Sequence, residues 1–232
     1  MACPNTIEEE LLKMYKRIGM GNCPTCSSCH NKIKNLSSPV TAWGVGNNFY
    51  NEHKKILFVG KTARGYFENP ERGYFHKAFD DGRWLWENVG WAYWNYTREI
   101  TGKIFGDDSF EHIAFTNIVK CNNSAGEDTT TDFVKENCIR QMRILAEEIK
   151  IIRPTHIIFY TGWYYDTYIP QAFDTFKILF DGRKIIGAKN VSWRECTSTL
   201  ADLEICVLRT GHPQYLNKDE FTNAVCEWIK SN

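Results

Sequence analysis

The sequence predicts an α/β fold, a central and mostly parallel β-sheet flanked by helices. Three observations predict it. Short apolar runs end at or near glycine, helical stretches separate those runs, and the polar and charged residues gather just past each run. Sheets of this kind bind ligands beyond the carboxyl ends of their strands. Function is therefore sought at residues 60–65, 117–121, 161–162 and 209–214.

The elements follow in chain order. Thr6-Ile7-Glu8-Glu9 has the form of a capping box, and Ile7, Leu11, Met14 and Ile18 continue at helical spacing. That predicts a first helix stopping at Gly19–Gly21. Residues 22–51 are rich in Cys, Ser, Asn, Gly and Pro and predict a long irregular segment, a length that needs something to tie it down. Lys55-Ile56-Leu57-Phe58-Val59 predicts a buried strand ending at Gly60, and residues 84–100 predict one aromatic-rich helix. His112 to Val119 predicts a second strand. Val134, Cys138, Met142, Leu145, Ile149 and Ile152 step by three and four, which predicts the core stripe of one long helix ended by Pro154. Thr155 to Tyr160 and Glu204 to Leu208 predict two further strands, and a last amphipathic helix starts near Asn217. Trp84, Trp86, Trp91 and Trp94 are expected in the core.

The bulk properties set bounds. At 232 residues the chain is expected to form a single domain, 1–232, large enough to bury its own core. Its 28 basic and 28 acidic residues cancel, which excludes the domain-wide basic excess of many nucleic-acid binders. A local patch, with Lys61, Arg64, Lys120 and Arg209 as candidates, remains compatible with DNA. The N-terminus lacks a signal-like apolar region and no apolar run is long enough to cross a bilayer, so the expectation is a cytoplasmic monomer with no membrane and no obligate protein partner. Nine cysteines in such a setting argue against a disulfide framework and for metal binding or buried thiols.

Those cysteines have a spacing. Cys23-Pro24-Thr25-Cys26-Ser27-Ser28-Cys29 overlaps two C-x-x-C units, and Cys121 and Cys138 follow about a hundred residues later. Two cysteines on a turn with two distant ones can close a thiolate site for zinc or for an iron–sulfur cluster. Cys138 on its helical stripe could equally be plain core. Cys26-Ser27-Ser28-Cys29-His30 also spells a c-type haem attachment pattern, but haem would leave Cys23, Cys121 and Cys138 unexplained.

The cysteine spacing, the strand running into a glycine-containing loop, the string Thr116-Asn117-Ile118-Val119-Lys120-Cys121 and the late His212-Pro213 resemble the uracil-DNA glycosylase superfamily, most closely its iron–sulfur family 4. The resemblance covers most of the chain. It implies a DNA glycosylase that excises uracil or a modified pyrimidine, with a 4Fe-4S cluster on Cys121, Cys138 and two of Cys23, Cys26 and Cys29, the first two preferred. Asn117 would read the edge of a flipped-out base through an amide that offers donor and acceptor together. Phe75 would stack on that base. His212 would donate a hydrogen bond to the base as negative charge develops on it, so that it acts mainly on the transition state. Gly60, Thr62, Arg64 and Gln214 fall at further substrate-binding positions.

The resemblance breaks at one place. The family's strand runs into Gly-Glu-x-Pro-Gly, whereas this chain has Gly60-Lys61-Thr62-Ala63-Arg64-Gly65, and Gln214 replaces the serine after His-Pro. Lys61 thus stands at the acidic catalytic position, where an amine could contact phosphate or attack the sugar as a Schiff-base nucleophile. Glu68, Glu71, Asp80 and Asp81 are candidates for a relocated acid. Two readings from other classes stand beside the enzyme: a non-catalytic protein that binds modified DNA, and a zinc-stapled structural protein.

Overall fold

The structure, a computed structural model, describes residues 4–62, 74–123 and 130–232. Among these residues the strands form one seven-stranded sheet in the order β1-β3-β2-β4-β7-β6-β5. The central strands β2 (Ile56–Thr62), β3 (Ile113–Val119), β4 (His156–Phe159) and β7 (Leu203–Thr210) run parallel. At the edges, β1 (Gly44–Val45) pairs antiparallel with β3. The hairpin of β5 (Thr175–Ile186) and β6 (Lys189–Leu200) pairs antiparallel with β7. The expected parallel core with helices on both faces is present.

The central strands are apolar on both faces because both are covered. One face carries Leu57, Val59, Ala114, Ile157 and Val207 against helices α1 (Pro4–Arg17) and α6 (Ile144–Ile152). The other carries Phe58, Phe115, Ile158 and Leu208 against α4 (Ala92–Phe105) and α7 (Lys218–Ser231). Asn217 caps α7 by accepting the Glu220 N–H, as its place before the apolar stripe predicts.

Several elements differ from the sequence reading, each for a local reason. Helix α1 begins at Pro4, ahead of the Thr6 capping box, and ends at Arg17, with Gly19 in the left-handed region (φ 68°) where glycine costs little. The segment 22–51 is not wholly irregular: it contains α2 (Pro24–Lys32), opened by Pro24 and capped by the Cys23 thiol, which accepts the Cys26 N–H. A sulfur cap lies outside the usual Ser/Thr/Asp/Asn set, so this helix has no standard start signal. The aromatic stretch is two helices, α3 (Phe79–Asn88) and α4, separated at Val89-Gly90-Trp91. Trp86 and Trp94 are buried as expected, but Trp84 and Trp91 are exposed.

The long helix expected from Val134 to Ile152 is three pieces: α5 (Asp132–Lys135), a π-helical segment Glu136–Gln141, and α6. The Met142 N–H reaches back to the Asn137 carbonyl, and Arg143 then turns left-handed (φ 50°). The apolar stripe was real, yet it spans a widened turn, which hydrophobic spacing alone does not register. The β5–β6 hairpin was not expected: β5 is exposed along most of its length, so no apolar alternation marks it, although β6 does alternate.

Candidate functional site

The strand β2 does not stop at Gly60. It runs through Lys61 and Thr62, and in register Gly60 lies beside Asn117 of β3. A Cβ at residue 60 would stand 2.5 Å from Asn117 Oδ1 and 3.2 Å from Tyr93 Cε2. Glycine is therefore what lets the Asn117 amide and the Tyr93 ring close on one spot at the end of the sheet. Tyr93 was not foreseen as a site residue, because an aromatic on a helical stripe looks like core. Its hydroxyl donates to the Phe58 carbonyl at 3.4 Å, and burial pushes its pKa well above the usual tyrosine value.

Asn117 is buried, and its main chain is fixed from the opposite face. Lys120 Nζ donates to the Asn117 carbonyl at 2.6 Å, to Thr116 Oγ1 at 2.7 Å and to the Glu148 carboxylate at 2.7 Å. Glu148 also accepts from Tyr15 Oη at 2.6 Å and from Thr116 Oγ1 at 2.9 Å. Lys120 is 1% exposed, and Arg209 is 2% exposed and ion-paired with Asp166 at 2.6 Å. Neither is a surface phosphate contact, which corrects the expected DNA patch. Each long cation is held inside by a carboxylate, as burial demands.

His212 follows β7 by two residues and is half-buried. The Gln214 main-chain N–H donates to His212 Nδ1 at 3.3 Å. A neutral ring with Nδ1 accepting carries its proton on Nε2. The exposed Gln214 thus contributes main chain rather than a visible side-chain contact. Three strand intervals separate the backbones of β3 and β7, about 14 Å at ordinary spacing.

The other expected site residues are less concentrated. Thr62 is half-buried, and its hydroxyl has no hydrogen-bond partner among the described residues. Lys61 is half-buried beside it. Phe75 packs on Tyr15 at 5.8 Å between ring centroids, against the face of the sheet opposite the Asn117 amide. Arg64, Glu68 and Glu71 lie outside the described residues, as does the side chain of Asp80. Asp81 is exposed.

The cysteines converge on the first face. Cys26, Cys29, Cys121 and Cys138 line one small cavity, with Lys120 and Met142 in its wall. N–H donors point at the sulfurs: Gly21 N–H at Cys26 (3.3 Å), Cys26 N–H at Cys23 (3.3 Å), the Lys120 main-chain N–H at Cys138 and the Asn137 amide at Cys29. Donors of this kind favour a charged sulfur. Burial works the other way, pushing the Cys138 thiol up to about 11 and Cys121 well above the ordinary range. Cys23 sits at the rim, 3.7 Å from the Met142 sulfur. Among the described residues the cysteines are free thiols, and no group of three or more His, Cys, Asp or Glu side chains is arranged to hold a metal ion.

Gly60 and Asn117 near the ends of β2 and β3, and His212 just past β7, all lie toward the carboxyl side of the parallel strands, where sheets of this kind bind ligands. The chain belongs to the uracil DNA glycosylase superfamily, whose family model matches residues 48–230. Members of that superfamily are DNA glycosylases, hydrolases that act on DNA. The match begins after α2 and its cysteines. Comparison with curated proteins gives no match. Among the described residues no helix is long and apolar enough to cross a membrane.

Proposed function

We propose that this protein is a monofunctional glycosylase of the iron–sulfur type that flips uracil or a modified pyrimidine out of DNA and releases it, leaving an abasic site. The observation that carries the reading is the Gly60–Asn117 pair. A base-reading amide needs a bare backbone beside it, and a side chain at residue 60 would occupy the space that the amide and the base share. Asn117 reads the pyrimidine edge, and His212 Nε2–H meets the oxygen on which charge accumulates as the glycosidic bond lengthens. Lys61 and Thr62 reach the same strand end and serve the sugar and phosphate. In place of the family's acidic residue, the lysine favours a substrate other than plain uracil.

The cysteine cavity supports a 4Fe-4S cluster in this reading. Four thiols line it, and N–H donors face three of them, those of Cys26, Cys29 and Cys138. Cys26, Cys121 and Cys138 are ligands in this reading. Support for Cys29 as the fourth comes from its place on the cavity wall, while the Cys23 thiol caps α2. When bound, the cluster would supply a structural crosslink between α2 and the Cys121–Cys138 region.

The test is base release from a panel of uracil- and modified-base oligonucleotides by anaerobically purified protein. His212→Ala and Asn117→Ala should each lose about a hundred- to a thousandfold in rate, the usual cost of a lost donor to developing charge, with DNA binding retained. Wild-type rates in both variants would remove this pocket as the active site. Iron and sulfide content, falling in Cys138→Ser and Cys29→Ser but not in Cys23→Ser, tests the ligand set. DNA binding without release of any base from the panel would favour the binding-module reading.

A further inference from the structure

The chain just past β4 carries a feature that the base pocket does not use. Trp163 and Tyr164 are 59% and 60% exposed, and their rings stack on one another with centroids 3.8 Å apart and planes 27° apart. Among the described residues their one ring contact is with each other. Leaving two large rings in water forgoes the favourable burial that such side chains normally obtain.

The turn that presents them is firmly anchored. Gly162, at φ 70°, donates its N–H to the Thr210 carbonyl at 2.9 Å, which ties the turn to the strand end that carries His212. Tyr165, the third residue of this turn, is buried in the core on the first face. Asp166 is clamped to Arg209, with Oδ1 and Oδ2 each 2.6 Å from a guanidinium nitrogen. Three fixed points around two outward rings make a preformed aromatic platform, whose ordering entropy is already spent before any ligand arrives.

We infer that the Trp163–Tyr164 stack is a binding platform for an unpaired nucleobase flanking the nucleotide in the active site. This rests on the glycosylase reading. The turn follows β4 at the carboxyl end of the sheet, between β2, which carries Gly60, and β7, which His212 follows, so a strand whose base enters that pocket runs past it. Every base has a π-face, so stacking binds without reading sequence, and it needs a base that is not already stacked in a duplex. The enzyme therefore favours single-stranded or locally unpaired DNA around its target.

The probe is a short single-stranded oligonucleotide carrying one 2-aminopurine, with the same sequence as a blunt duplex for comparison. Wild-type protein should quench the 2-aminopurine and bind the single strand more tightly than the duplex. In Trp163→Ala/Tyr164→Ala the quenching should disappear and single-strand affinity should fall about tenfold, within the range an aromatic–base stack contributes. Duplex affinity and thermal unfolding should not change, and Trp163→Phe/Tyr164→Phe should restore most of the quenching. Unchanged single-strand affinity in the Ala variant, or equal losses on both DNAs, overturns the platform while leaving the glycosylase reading intact. A wild-type dimer that the Ala variant breaks shows instead that the rings meet a second copy. Failure of the wild-type protein to bind either DNA removes both readings together.

Discussion

The two faces of the sheet are built on different physics. The face toward α1 and α6 has an ionic centre, with Lys120, Glu148, Tyr15 and Thr116 bonded to one another in full burial, and it carries the cysteine cavity beside them. Burial, and then the Glu148 charge, drive the Tyr15 hydroxyl well above its usual pKa. The face toward α4 and α7 is aromatic. Phe115 alone meets Phe58, Trp86, Trp94 and Phe110 at ring separations of 5.2–6.2 Å. Ring packing contributes area with loose directional demands, whereas a buried ion pair fixes atoms at hydrogen-bond distance. Asn117 is gripped by both: its carbonyl by Lys120 from the ionic face, its amide beside Gly60 and Tyr93 on the aromatic one. The difference teaches that the ionic face sets position and the aromatic face supplies the walls.

The most forceful way to break that division is Glu148→Gln. It leaves Lys120 buried without its counter-charge, and stability should fall by about 3–5 kcal/mol, read from the denaturant midpoint. Lys120→Met/Glu148→Met should recover part of the loss. A change below about 1 kcal/mol in the single variant would mean that the pair does not organise its face.

On the aromatic face the expected weakness is acid. His156, at the start of β4 and packed edge-on to Trp228, has its pKa lowered to about 4 by burial first and Lys54 second. The folded state thus holds this ring neutral while the unfolded chain takes up a proton near pH 6.5. Between those values the unfolded state binds more protons, so stability is full above about pH 6.5 and declines as pH falls toward 4. The total is about 3 kcal/mol for a shift of this size. His156→Leu should flatten that part of the stability–pH curve. An unchanged slope would place the acid sensitivity elsewhere.

The smallest effect sharpens the point where the faces meet. Gly60→Ala puts a methyl against Asn117 Oδ1 and Tyr93, an overpacking worth about 1–3 kcal/mol in stability. Base release should fall by more than that figure alone implies, because the methyl displaces the amide itself. An Ala variant that keeps wild-type discrimination among bases would separate Asn117 from base reading.

By itself the sequence determined the parallel α/β core, since runs such as Ile56–Val59 and Ile157–Phe159 are apolar at every position and only a doubly covered strand tolerates that. It also made Gly60, Asn117 and His212 legible as strand-end residues, because ligand sites in such sheets follow from topology. Tertiary structure decided the rest. Lys120 and Arg209 look like surface cations until Glu148 and Asp166, distant in sequence, arrive to neutralise them. The π-helical turn that presents Cys138 and the sulfur cap of α2 break local rules, and contacts across the cysteine cavity accompany both. The contact of Phe75 with Tyr15, sixty residues earlier, was likewise outside any local pattern. Periodicity fixes which way a side chain faces, but which partner waits there depends on residues a hundred positions away, and a one-dimensional pattern holds no information about them.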